Sequence, residues 1–246
     1  MSNAAARGIV IRQSDYGEGH RMLNIFTEEY GIIKAVKYGA KSTKKRDSAS
    51  SQFLCYGDFD LYLSNRDAAN INSITAIDSF FPVTEDIVKL SLCNYLADIT
   101  YSILGMNNPD ERLLKVFLNC VYALAYKNEL PKKVKAVYEL KLMSIGGYMP
   151  NLGSCTCSSE EVFGFNPAAG STVCRKCRTG ETIPLTPGTY KALCYITGCE
   201  DKKILSFSGN DRLFEELNKI SEAYTLMHLE REFKSLDYFK AVCDVY

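Results

Sequence analysis

The sequence predicts a multidomain α+β protein: a β-rich N-terminal domain, then a helical domain that a small cysteine-rich module interrupts. Three observations support this prediction. Short apolar runs, partly alternating with polar residues, fill roughly the first eighty residues. After Pro82, apolar residues recur at helical spacing. Between residues 151 and 180, two close pairs of cysteines separate the earlier helices from the later ones.

The N-terminal region contains four apolar runs that we predict to be strands, at residues 8–11, 32–38, 59–63 and 71–81. Turn residues separate them, and short strands at such spacing favour a small barrel or sandwich. The polar stretch 39–52 has no periodicity and predicts a loop. Residues 1–4 resemble a cloning remnant, so we leave them out of the predicted fold.

The helical region begins after Pro82, with Thr84 as the expected N-cap of the first helix. Two further helices are expected to open at Pro109 and Pro131, because proline is well tolerated in the first turn. Beyond the cysteine-rich module, Thr186 and Pro187 indicate the start of another helix. A last long helix is predicted over roughly residues 211–234.

Two cysteine pairs define the central module: Cys155 with Cys157, and Cys174 with Cys177. Two close thiol pairs separated by a loop are typical of a structural zinc site. The second pair has the usual C-x-x-C spacing, whereas C-T-C is one residue shorter, and the alternative is four ordinary thiols. His20 and His228 lie too far away in sequence to compete as ligands.

A basic stretch runs through the second predicted strand and into the loop that follows it. No acidic residue intervenes between its members, which are Lys34, Lys37, Lys41, Lys44, Lys45 and Arg46. Such a stretch at the rim of a β-domain can lie along a phosphate backbone, and nearby Tyr16, Tyr30, Tyr38 and Phe53 are candidates for stacking on bases. The alternative is a solvated loop. A second, smaller basic patch (Arg175, Lys176 and Arg178) is expected to be ordinary surface.

Composition excludes several classes of protein. The chain has 29 basic and 29 acidic residues, so it is not coated in positive charge. An N-terminal apolar h-region and long apolar runs are absent, which predicts no signal peptide and no membrane span. Cysteines outside the module lie among apolar residues and are expected to pack as thiols in a reducing cytoplasm.

Catalytic motifs are not found, and we predict that the protein is not an enzyme. The sequence has no nucleotide-binding glycine motif, no nucleophile elbow and no zinc-protease motif. Its two histidines are expected to be surface or packing residues. The enzymatic alternative is a thiol oxidoreductase that uses Cys174 and Cys177, although the β-α setting of such redox pairs is missing.

Several segments, taken in order, resemble the RecO family of bacterial DNA repair proteins. The resemblance spans nearly the whole chain and rests on segments 8–11, 16–18, 26–31, 37–41, 139–142, 147–152 and 224–235. It implies an OB-fold β-barrel over residues 1–81, a helical domain over 82–150 and 181–246, and an inserted four-cysteine zinc module over 151–180. Many relatives have C-x-x-C where this chain has C-T-C.

The resemblance also implies a function. RecO-like proteins bind single- and double-stranded DNA, anneal complementary strands and, with RecR, help to load RecA onto DNA coated by single-strand-binding protein. We therefore expect phosphate contacts from Lys34 and the basic residues Lys37, Lys41, Lys44, Lys45 and Arg46, with Arg7 and Arg21 as helpers. The protein would act in the bacterial cytoplasm, near the nucleoid. The alternative is an OB-fold RNA-binding or adapter protein with a structural zinc site.

Overall fold

The N-terminal part of the chain forms a sheet of five strands. The computed structural model describes residues 2–40, 50–63 and 68–245. The strands are β1 (Ser2–Tyr16), β2 (His20–Thr27), β3 (Gly31–Lys37), β4 (Tyr56–Leu63) and β5 (Ala69–Asp78). Helices predominate in the rest of the chain, so the predicted α+β class is confirmed at this level.

Strand β1 starts at Ser2, and Ser2 to Ala5 pair with residues of β4. The exclusion of residues 1–4 from the fold was therefore wrong for the described residues 2–4. Their side chains are small and carry no apolar periodicity. Backbone N–H and C=O groups nevertheless pair with a neighbouring strand whatever their side chains are.

The strand pairing gives every strand two neighbours. β1 pairs with β2 and β4, β2 with β3, and β4 with β5, all antiparallel. A short parallel contact, in which Ala35 faces Ala69 and Val36 faces Asn70, links β3 to β5. The resulting order is β1-β2-β3-β5-β4, and β4 returns to β1. The two-residue link between β3 and β5 is the narrowest junction of the sheet.

One face of the sheet carries a hydrophobic core that includes Val10, Leu23, Ile25, Ile33, Phe59 and Leu61. Gly8 of β1 lies opposite Gly57 of β4. At this pair, the backbone of a neighbouring strand occupies the space that a side chain would need. A Cβ atom on either glycine would lie 2.4 Å from a backbone carbonyl oxygen. Only glycine fits at these two positions of the sheet.

The next helices are α1 (Phe81–Thr84), α2 (Ile87–Leu104) and α3 (Glu111–Tyr126). Thr84 was predicted to cap the first long helix, and this was wrong, because Thr84 ends the short α1. Asp86 caps α2 instead: its carboxylate Oδ1 accepts from the backbone N–H groups of Val88 and Lys89 at 3.0 and 3.1 Å. An aspartate is as good an N-cap as a threonine, so the sequence alone did not separate the two.

The chain divides into two compact units, Met1–Val121 and Tyr122–Tyr246. The division falls inside α3, so that α2 belongs with the five-stranded sheet. Within the first unit, Asn107 lies just after the end of α2. Its backbone N–H donates to the carbonyl of Ile32 in β3 at 2.9 Å and so connects the chain after α2 to the sheet. The domain boundaries predicted at residues 81, 150 and 180 stay predictions.

The second unit contains α4 (Pro131–Ile145), the short strands β6 (Gly164–Asn166), β7 (Ser171–Val173) and β8 (Ile183–Pro184), then α5 (Pro187–Gly198), α6 (Asp211–Leu229) and α7 (Lys234–Val245). The predicted starts at Pro131 and Pro187 are confirmed. The helix predicted over residues 211–234 corresponds to α6 and ends earlier, at Leu229, because Glu230 adopts a left-handed conformation at φ 48°. Among the described residues, no helix has the length and apolar character needed to cross a bilayer.

Helix α4 is buried along most of its length although it carries several charged residues. Lys135 is 2% exposed and Glu139 is 0% exposed. The Lys135 ammonium lies 2.9 Å from Glu139 Oε1 and 3.0 Å from Glu222 Oε2 of α6. Lys141 likewise donates to the Cys199 carbonyl at 2.9 Å and to Asp201 at 3.2 Å. Buried charges are tolerated here because each one has an oppositely charged partner.

We predict that Lys135→Met destabilises the protein by about 3–5 kcal/mol, because the fully buried Glu139 and the partly buried Glu222 then lose their common cation. The matched control is Lys203→Met, since Lys203 pairs with Glu200 at 3.0 Å while its side chain is 62% exposed. That control should cost less than about 1 kcal/mol. The free energy of unfolding in urea, measured for both variants, checks the prediction, and equal losses would contradict it.

Candidate metal centre and nucleic-acid interface

The four cysteines of the central module meet at one point. All four sulfur atoms lie within 4.8 Å of one another, and the Sγ atoms of Cys157 and Cys174 are 3.6 Å apart. Tetrahedral zinc, with Zn–S bonds of about 2.3 Å, requires sulfur atoms roughly 3.8 Å apart. The cysteines, all free thiols, thus have the identity, number and spacing of a structural zinc site.

Two turns bring the sulfur atoms together. In the first turn, the Ser158 N–H donates to the Cys155 carbonyl at 2.8 Å, and Ser158 has a left-handed φ of 62°. In the second, the Cys177 N–H donates to the Cys174 carbonyl at 3.2 Å, directly after β7. The tight turn at Ser158 brings both sulfur atoms of the short C-T-C pair into the cluster.

The pKa values of the cysteine thiols in the cluster favour the binding of a cation. Backbone N–H groups of Cys157 and Cys174 point at the Cys155 sulfur and lower its pKa to about 6. The pKa of Cys177 is raised to about 12, because its thiol donates to the sulfur of Cys157 and then to those of Cys155 and Cys174. Four thiolates this close repel one another, so full deprotonation requires a bound metal ion.

Cysteines elsewhere in the chain differ in their surroundings. Cys55, Cys93 and Cys120 are fully buried. Burial raises the pKa of Cys55 to about 11 and also raises the pKa values of Cys93 and Cys120. These three thiols pack as small apolar side chains, as the sequence predicted, whereas Cys194, Cys199 and Cys243 are only partly buried.

The cysteine module is attached to α6 through its β6–β7 hairpin. The ring of Phe165 packs edge-on against Tyr224, with centroids 5.5 Å apart, and the Tyr224 hydroxyl donates to the Tyr148 carbonyl at 2.8 Å. His228 Nε2 lies 3.0 Å from the Pro167 carbonyl. His228 is therefore a packing residue, as predicted, and lies outside the sulfur cluster.

A second group of predicted site residues lies where β2 begins and β3 ends. Arg21 of β2 faces Lys37 of β3 in the strand register. The Lys37 ammonium donates to the Asn72 carbonyl at 2.8 Å, a neutral partner that leaves its charge in place. Arg21 donates to the Ser51 hydroxyl at 3.0 Å. The structure thus brings these two cations together at one end of the sheet.

Aromatic side chains surround this end of the sheet. Tyr16 and Tyr38 are 46% and 51% exposed. The ring of His20 packs edge-on against Tyr38 at a centroid distance of 4.8 Å, and its Nδ1 accepts from the Gly39 N–H at 3.1 Å. Sequence reasoning did not place His20 here, because only the strand register puts it beside the end of β3. Tyr30, by contrast, packs against the core of the sheet.

The remaining basic candidates lie elsewhere or outside the described residues. Arg7 forms an ion pair with Asp58, at 2.7 Å from Nε to Oδ1, and this contact lowers the pKa of the Asp58 carboxyl. Lys34 is exposed on the face of β3 opposite to that of Lys37, since side chains alternate along a strand. The other four candidates, Lys41, Lys44, Lys45 and Arg46, lie outside the described residues. The phosphate contacts of all eight residues stay predictions.

Comparison with known proteins identifies the family. Residues 1–80 match the model for "Recombination protein O N terminal", and residues 84–237 match that for "Recombination protein O C terminal". The chain is 31% identical to a "DNA repair protein RecO" of Acetivibrio thermocellus, over 98% of both chains. It is 30% identical to a protein of the same name from Alkaliphilus metalliredigens, over 96% of this chain and 98% of the other. A RecO from Rubrobacter xylanophilus is also 30% identical, over 93% of each chain. With both family domains matched in order and relatives aligned from end to end, the chain belongs to the RecO family.

Proposed function

We propose that this protein is a DNA repair and recombination mediator that binds single- and double-stranded DNA and anneals complementary strands. The observation that carries the proposal is the match to the RecO family over nearly the whole chain, to relatives named as DNA repair proteins. With RecR, the protein would help to load RecA onto DNA coated by single-strand-binding protein. It would do so without being an enzyme, in the bacterial cytoplasm at the nucleoid.

The N-terminal sheet is proposed to be an OB-fold that binds the phosphate backbone. The strand order β1-β2-β3-β5-β4, with a parallel contact between β3 and β5, supports this assignment. The basic residues Lys41, Lys44, Lys45 and Arg46 follow Lys37, the last residue of β3, within nine positions of the sequence. Cations at this end reduce the repulsion between two phosphate backbones without reading base sequence.

The cysteine cluster is proposed to bind one structural zinc ion through Cys155, Cys157, Cys174 and Cys177. The sulfur spacing supports zinc, and so does the need for a cation among four thiolates. Bound zinc would hold the two turns together in a module too small to have a substantial core. A redox role for Cys174 and Cys177 alone fits less well, because both sulfur atoms share one cluster with the other pair.

Purified protein is expected to contain about one zinc ion per chain, bound by four thiolates. Cys157→Ser should abolish stoichiometric zinc and lower the thermal midpoint, since zinc binding contributes to folding. Cys194→Ser is the matched control, because Cys194 lies outside the cluster. Metal analysis by mass spectrometry checks both variants, and four reduced thiols without zinc in the parent protein would contradict the assignment.

Reversing two charges of the basic segment should weaken DNA binding whatever the base sequence. For Lys44→Glu with Lys45→Glu, we expect the negative slope of log affinity against log salt on single strands to become shallower by about 0.7 per lost contact. The control is the equally adjacent pair Lys202→Glu with Lys203→Glu, both exposed on the second unit. Fluorescence anisotropy measures the slopes, and an unchanged slope for the first pair would place the phosphate contacts elsewhere.

The same variants test annealing. The parent protein should accelerate the pairing of complementary oligonucleotides, Lys44→Glu with Lys45→Glu should lose most of this effect, and the control pair should keep it. A parent protein that binds oligonucleotides, or RNA alone, without annealing them would contradict the proposed function. It would favour the alternative of an RNA-binding or adapter protein.

Tyr38→Leu should weaken binding to single-stranded DNA by about 1–3 kcal/mol if the exposed ring stacks on a base. Binding to duplex DNA should change less, because duplex bases are already stacked on one another. Tyr238→Leu is the matched control, since Tyr238 is similarly exposed, at 55%, on α7. Equal affinities of parent and Tyr38→Leu for an oligothymidylate would remove Tyr38 from the interface.

A further inference from the structure

A basic patch on the cysteine module has a more ordered geometry than its sequence indicated. Its members are Arg175 and Lys176, which lie within the turn from Cys174 to Cys177, and Arg178, which directly follows it. All three side chains are exposed. Three cations lie within four residues. They concentrate positive charge at one place in a chain whose overall net charge is zero.

The two arginines of this patch converge on one aromatic ring. The guanidinium carbon of Arg175 lies 5.1 Å from the ring centre of Phe163, and that of Arg178 lies 5.8 Å from the same centre. Phe163 is itself held in place, because its backbone N–H donates to the Val173 carbonyl at 2.9 Å, and it is only partly exposed. Cation–π contacts orient both guanidinium groups and thereby lower the entropy they lose on binding an anion.

The members of the patch differ in whether they form an ion pair. Arg175 donates from Nε to Glu161 at 3.0 Å, an exposed contact that water screens. Lys176 and Arg178 have no ion-pair partner among the residues that the structure describes. These two cations are therefore the ones that an external anion would meet, and the planar guanidinium of Arg178 suits the oxygen atoms of a phosphate.

We infer that Phe163, Arg175, Lys176 and Arg178 form a second phosphate-binding surface, which takes the backbone of a nucleic-acid strand. The inference rests on the proposed annealing function, which needs two backbones to be held at once. The first unit would bind one strand through its basic segment and the end of its sheet. The patch on the second unit would bind the other strand, and again without reading its sequence.

A nucleic-acid backbone fits this patch better than an acidic protein segment does. Annealing brings two polyanions to the same molecule, and each strand carries a phosphate at every nucleotide, so closely spaced cations meet closely spaced charges. The aromatic ring of the patch already contacts two guanidinium groups and is only partly exposed, so it is poorly placed to receive an apolar anchor from a protein partner.

A two-strand capture experiment on the full-length protein tests the inference. Biotinylated oligothymidylate on beads is saturated with protein and washed, and a fluorescent oligothymidylate is then offered. The two strands cannot pair, so retained fluorescence reports a second strand held by the protein. Lys176→Glu with Arg178→Glu should reduce this capture by about tenfold or more while the first strand stays bound, since each lost phosphate contact lowers affinity.

Control variants distinguish the loss of the patch from a general change in net charge and from unfolding of the module. Lys202→Glu with Lys203→Glu makes the same change in net charge and should leave second-strand capture intact. Zinc content equal to that of the parent shows that the module of the patch variant is folded. Phe163→Leu keeps every charge and removes the ring, so we expect a smaller but measurable loss of second-strand capture, which tests the patch independently.

The outcomes distinguish the inference from the proposed function. If the patch variant and Phe163→Leu both capture the second strand as well as the parent, the inference is wrong, even though the first strand is bound. The second strand would then be held elsewhere, for example by the sheet of a second copy of the protein. If the parent does not bind the first strand, both the proposed function and the inference fail.

Discussion

The convergence of four sulfur atoms is the constraint on which the cysteine module depends. Residues 151–184 contain only three short strands, and their small apolar cluster consists of Cys155, Val173 and Cys174, with Cys177 packed against it. Such a segment cannot offset its loss of conformational entropy by apolar burial alone. The second of the two turns, from Cys174 to Cys177, contains Arg175 and Lys176 and directly precedes Arg178, so it also positions the basic patch. The sulfur cluster and the basic patch thus depend on the same few backbone hydrogen bonds.

The sequence predicted features with a local signal and missed those that depend on distant partners. Pro131 and Pro187 marked two helix starts, because proline in a first turn needs no tertiary partner. Burial of Lys135 was not predictable, since its second carboxylate, Glu222, lies far along the chain and a lysine ordinarily indicates a solvated position. Arg7 is similar: the sequence shows a free cation, and only the pairing of β1 with β4 brings Asp58 to it.

The candidate sites also differ in how far a local sequence signal predicts them. The four cysteines were predicted as a metal site from their residue type and their grouping in two pairs, although the C-T-C pair is one residue shorter than usual, because their residue type restricts what they do. Basic residues carry no such restriction, and their role depends on their neighbours. Arg21 and Lys37 share one end of the sheet, Lys34 lies on the other face of its strand, and the ring of Phe163 collects two arginines that looked like ordinary surface. Aromatic contacts between residues a dozen positions apart leave no periodic pattern in a sequence.

The buried charges of α4 have a consequence for how the second unit responds to heat. Water solvates ions less favourably as temperature rises, so the free energy needed to bury Lys135, Glu139 and Lys141 falls on warming. Hydrophobic stabilisation per unit of buried area levels off over the same range. A helix held by paired ions therefore loses less of its support on warming than an all-apolar helix of the same length. The ionic interior costs most in the cold, where the same charges are best solvated by water.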